Sequence, residues 1–113
     1  MEMTRKQIAF DLDTKALEKY YPTKNWRYAY EVIKRHMLKH EFEWQQGSVY
    51  ISSPPMEETY ATIVISDLVA KKPWLNVCMR DCTVTNIGKE YSKNELFDKS
   101  APIPMREETI KAN

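Results

Sequence analysis

Phe42-Glu43-Trp44-Gln45-Gln46-Gly47-Ser48-Val49-Tyr50-Ile51-Ser52 reads as two short strands joined by a tight bend. Gly47 is one of only two glycines in the chain, so its position carries information. A glycine between two strand-like runs supplies backbone angles that a side chain forbids. Val49 and Ile51 fall on one face of the second run; Ser48, Tyr50 and Ser52 fall on the other. The bend holds Gln45, Gln46 and Ser48 at the rim of a sheet. The chain before this hairpin reads as strand then helix, and the chain after it as helix then strand.

Upstream, Gln7-Ile8-Ala9-Phe10-Asp11-Leu12-Asp13 is a strand, with Ile8, Phe10 and Leu12 on one face and Ala9, Asp11 and Asp13 on the other. Thr14 to Pro22 is a short irregular or helical connection that Pro22 ends. A helix is expected from Asn25 as N-cap, with Trp26, Tyr30, Ile33 and Met37 as its apolar stripe. Downstream, Ser53 as cap and Pro54 at the first helical position predict a second helix. Its apolar face is Ala61, Val64, Ile65 and Leu68, and Pro73 ends it. Asn76 to Gly88 is expected as the last core strand, containing both cysteines, Cys78 and Cys82. Strand rise, about 3.3 Å per residue, sets them too far apart to bridge. They read as two reduced thiols. Trp26, Trp44 and Trp74 read as core.

The order strand, helix, two strands, helix, strand is the ferredoxin-like βαββαβ pattern, an α+β class. Both helices cover one face of an antiparallel sheet. The other face stays bare in a single copy, so a homodimer is expected. The expected division is one domain over residues 1–98 and a C-terminal tail over 99–113, ordered on a partner or a dimer mate. With 17 basic against 16 acidic residues, net charge +1, any nucleic-acid contact must come from a local patch. No apolar run approaches the roughly 20 residues of a membrane span, and the N-terminus has no signal-peptide character. A cytoplasmic location is expected.

Three segments then carry a resemblance: Ile8-Ala9-Phe10-Asp11-Leu12, the hairpin from Phe42 to Tyr50, and Arg80-Asp81. In this order and spacing, over roughly residues 7–90, the chain resembles the virulence-associated protein D family. The resemblance implies a small dimeric ferredoxin-like endoribonuclease that cuts single-stranded RNA, the toxin of a toxin–antitoxin pair. It places the family's acid on Asp11, its serine on Ser48 and its arginine on Arg80. It also implies a second reading, a non-catalytic scaffold of CRISPR adaptation that binds an integrase and duplex DNA. The chain has Cys82-Thr83-Val84-Thr85 where members carry a more basic, aromatic stretch.

Taken as residues, Asp11 is either a turn residue before Thr14 or a general base or metal ligand in phosphodiester cleavage. Ser48 either satisfies a backbone group or holds a phosphate. Arg80 either pairs with Asp11 or Asp81 or clamps a phosphate. Asp13 is a solvated companion of Asp11. Gln45 and Gln46 are candidate base readers, and Tyr50, if on the open face, a stacking platform. Lys34, Arg35 and Lys39, with His36 and His40, form the best local patch for an RNA backbone. Two routes are open: a metal-free attack by the RNA's own 2′-hydroxyl, or a Mg2+ ion held by paired Asp11 side chains.

Overall fold

The computed structural model describes residues 3–88 and 93–104. The chain runs β1 (Arg5–Leu12), α1 (Thr14–Tyr20), α2 (Tyr28–Lys39), β2 (Phe42–Gln46), β3 (Val49–Ser52), α3 (Glu58–Lys71), α4 (Leu75–Cys78) and β4 (Met79–Ile87). The four strands form one antiparallel sheet in the order β2-β3-β1-β4. That order is compatible with the ferredoxin-like pattern.

The expected hairpin is present. Gly47 carries φ +46° at the bend, the left-handed region that a Cβ disfavours. The open space around it means that conformation, not crowding, calls for glycine there.

Alternation along β1 decides which face is covered. Ile8, Phe10 and Leu12 are at most 6% exposed and join one cluster with Leu17, Ile33, Met37, Val64, Leu68, Leu75 and Cys78 from the helices. All four helices therefore lie on that side of the sheet. Lys6 shares this face and is also buried; its ammonium donates to Thr4 Oγ1 (2.8 Å) and Asn86 Oδ1 (2.6 Å). Such partners are what a buried cation requires.

Several expectations are corrected. The second helix begins at Tyr28, because the bonds from Tyr28, Ala29 and Tyr30 N–H back to Asn25, Trp26 and Arg27 make a tighter turn first. The third begins after Glu57, not at Ser53. There the buried Ser52 hydroxyl accepts from Lys6 N–H and donates to the Pro54 carbonyl, and Met56 N–H bonds Thr4 O at 2.9 Å. These bonds hold the segment after β3 in a bend at 53–54 and then pin Met56 beside the start of β1. The last strand starts only at Met79. Buried Leu75 and Cys78, three residues apart, favour one helical turn before it. Cys78 and Cys82 thus lie on different elements, both as free thiols. Trp26 and Trp74 pack at the edge of the core, whereas Trp44 is half exposed, its ring 4.3 Å from Lys34 Nζ.

Residues 93–104 are exposed throughout and include a short 3-10 turn, Asn94–Leu96. The rest of the expected tail, 105–113, lies outside the described residues, as do residues 89–92. No described helix is long and apolar enough to cross a membrane.

Candidate functional site

With Ile8, Phe10 and Leu12 turned to the helices, the intervening Arg5, Gln7, Ala9 and Asp11 point to the face the helices leave bare. Asp11 is exposed there. Its cross-strand partner on β4 is Asp81, also exposed and on the same face. Directly opposed residues stand with Cβ atoms roughly 4.5–5.5 Å apart, so two carboxylates share one patch of sheet.

The register then slips. Leu12 pairs with Met79, which leaves Arg80 as an extra residue, a β-bulge beside the carboxylates. A bulge re-aims its side chain out of the regular ladder. Arg80 Nη2 lies 3.9 Å from Asp13 Oδ1, with the arginine side chain 61% exposed. The ion pair expected with Asp11 or Asp81 is thus made with Asp13. Asp13 itself is no mere solvated companion of Asp11. Its Oδ1 accepts from Lys15 N–H (3.0 Å) and Ala16 N–H (3.2 Å), which makes it the N-cap of α1.

On the other flank of β1, the Ser48 carbonyl accepts from Phe10 N–H at 3.0 Å. The hairpin bend therefore abuts the residue just before Asp11. Asp11, Asp81 and Arg80 thus lie at one end of the sheet, and the backbone of the bend at Ser48 borders β1 at the same end. Gln45 and Gln46 are exposed on edge strand β2 beside the same bend, Gln45 being the extra residue of a second bulge.

The remaining expected residues lie elsewhere. Tyr50 is not on the open face. It is 2% exposed beneath the helices, edge-on to Phe10 with ring centroids 6.0 Å apart. Burial, with the nearby Glu31 carboxylate, pushes its hydroxyl pKa up to about 12. No base can stack on a ring placed there. Lys34, Arg35 and Lys39 belong to α2, in the layer on the far side of the sheet from Asp11. Arg35 lies 3.8 Å from Glu31, and Lys39 lines a cleft of about 330 Å³ with Tyr28, Arg35, His36, Lys71 and Lys72. The basic patch and the carboxylates do not share a face.

Asp81 is the residue that sequence reasoning undervalued. It entered as a possible structural partner of Arg80 and as its neighbour in a family segment, with no role of its own. The period-2 pattern of β4 is blurred by the bulge, so its face is fixed only once β1 and β4 are in register. Two exposed carboxylates are hard oxygen donors, of the kind that takes Mg2+ while the ion keeps most of its waters.

No family model matches the chain. It is 30% identical over 80 residues to Endoribonuclease VapD 2 of Riemerella anatipestifer, covering 71% of this chain and 85% of that protein. It is 31% identical over 80 residues to the Endoribonuclease VapD homolog of Helicobacter pylori, covering 71% and 82%. Similarity at this level, across most of the length of both relatives, establishes that the chain belongs to the VapD family.

Proposed function

We propose that this protein is an endoribonuclease that cuts single-stranded RNA at the open-face patch of Asp11, Asp81 and Arg80, with Ser48 in the neighbouring bend, and that it acts as a toxin. The observation that carries this reading is the direct opposition of Asp11 and Asp81, both exposed, on the sheet face opposite the helices. Like charges facing each other across two strands lower the stability of a sheet. A structural role gives no reason for the pair, whereas phosphodiester chemistry uses carboxylates as proton acceptors or metal ligands. The names of the two relatives point the same way.

In the metal-free route, the ribose 2′-hydroxyl attacks the adjacent phosphorus and Asp11 takes its proton. The exposed Arg80 guanidinium swings from Asp13 to the phosphate oxygens and offsets the charge that builds on them. Ser48 donates its hydroxyl to the same phosphate. The 5′-oxygen takes a proton from water as it leaves, and the other end keeps a cyclic phosphate. In the alternative, Mg2+ held by Asp11 and Asp81 would supply an activated water instead. Two copies joined through their bare sheet faces would set these patches across a groove wide enough for one strand.

The test compares purified wild type with a matched Asp11→Asn preparation on end-labelled single-stranded RNA. Cleavage by the wild type, and a loss of at least about 10²-fold in the folded variant, supports the reading. Equal cleavage by both refutes it. A chelator and the chemistry of the cut end separate the two routes. Growth arrest on expressing wild type but not Asp11→Asn tests the toxin role, and light scattering tests the dimer.

A further inference from the structure

Outside the sheet patch, one other cluster of reactive side chains stands out. His36 and His40 are one helical turn apart on α2, their ring centroids 4.4 Å apart, and Asp67 faces them from α3. One donor atom from each of the three lies within 4.8 Å of the others. It is the only such group of three among the described residues.

Two details point to a ligand. First, His36 is buried and its Nε2 lies 2.8 Å from the Val64 carbonyl. A carbonyl only accepts, so Nε2 carries the hydrogen and the neutral ring keeps its lone pair on Nδ1. A metal-binding histidine is oriented in this way, with its second nitrogen donating to a backbone carbonyl. Second, His40 Nε2 is shut off from solvent with no hydrogen-bond partner among the described residues. Its nearest opposite charge, Asp67 Oδ2, stands 3.8 Å away. That distance is too long for a hydrogen bond and suits two ligands of one ion.

We infer that His36, His40 and Asp67 form a binding site for a divalent transition-metal ion of the zinc type, clamping α2 to α3. Two imidazoles and a carboxylate select zinc-like ions over magnesium or calcium. Tetrahedral zinc with nitrogen and oxygen ligands at about 2.0–2.2 Å sets its donors roughly 3.3 Å apart. Closing the observed cluster to that size needs side-chain shifts of about an ångström. A cleft that His36 lines with Lys39, Lys71 and Lys72 adjoins the cluster. Lys71 Nζ lies 3.0 Å from Asp67 Oδ2, so its ammonium competes with the metal for that carboxylate.

This competition gives the test a signature that a plain structural cluster lacks. Full-length protein stripped with chelator is titrated with ZnCl2 in a calorimeter, and its melting temperature is followed in parallel. One ion per chain is expected, with a rise in melting temperature. His40→Gln and Asp67→Asn are expected to weaken binding at least about tenfold each. Lys71→Met is expected to tighten it. Circular dichroism shows that each variant is folded. No binding by the wild type, undiminished binding in both ligand variants, or weaker binding in Lys71→Met would each overturn the site. None of these readouts involves RNA, so the outcome is independent of the nuclease reading.

Discussion

Replacing Asp11 by Asn separates stability from activity, because the opposition of Asp11 and Asp81 serves one and harms the other. With the two carboxylates about 5 Å apart and exposed, Coulomb repulsion in water is about 0.8 kcal/mol. Screening over a Debye length of about 8 Å at physiological ionic strength reduces this to about 0.4 kcal/mol. Asn keeps the size and removes the charge. Asp11→Asn should therefore stabilise the fold by about 0.4 kcal/mol in urea unfolding, or raise the melting temperature by roughly 1–3 °C. In about 1 M salt the gain should fall below about 0.2 kcal/mol. Asp81→Asn alone should give a similar gain. Added to Asp11→Asn it should give almost none, since the repulsion is already gone. RNA cleavage should meanwhile fall at least about 10²-fold. A destabilised Asp11→Asn protein, or additive gains from the two substitutions, would show that the carboxylates do not confront each other. Full activity would remove Asp11 from the chemistry.

Three further outcomes follow from the geometry. Asp13→Ala removes the cap that holds the Lys15 and Ala16 N–H groups and should cost about 0.5–2 kcal/mol in urea unfolding. Gly47→Ala meets no neighbouring atom but forces a side chain into left-handed backbone, so a loss of about 1–2 kcal/mol is expected from strain alone. Tyr50, raised to about 12 by burial, favours the protonated hydroxyl in the fold. Its contribution is fully present below the model-peptide value of about 10 and is lost as pH rises through about 12. Tyrosinate absorbance should report a late, unfolding-linked titration that disappears in Tyr50→Phe, with RNA cleavage by that variant unchanged.

Much of this fold is legible in the chain because its signals are local. Ile8, Phe10 and Leu12 alternate with polar neighbours and announce both a strand and its buried face. Gly47 marks the hairpin because left-handed backbone excludes most other residues. Signals failed where a distant contact outweighed local preference. Ser53-Pro54 is a sound helix start by composition. Yet Ser52 bonds Lys6 and Met56 bonds Thr4, so the segment bends and is pinned beside the start of β1. Tyr50 shows the same limit. Its alternation with Ile51 is readable, but which of the two faces the helices is fixed only by the pairing of Ile8 with Tyr50.

The site divides along the same line. The sequence alone established Asp11 on a strand face opposite the core, and it set two histidines one helical turn apart. It also carried enough family pattern to single out Ser48 and Arg80. Only the tertiary structure could set Asp11 against Asp81, give Arg80 to Asp13, and bring Asp67 to His36 and His40. Each of those meetings depends on strand register or on how two helices lie together. Period-2 and period-3.6 patterns state which way a side chain points along its own element; they are silent about which residue of another element it will meet.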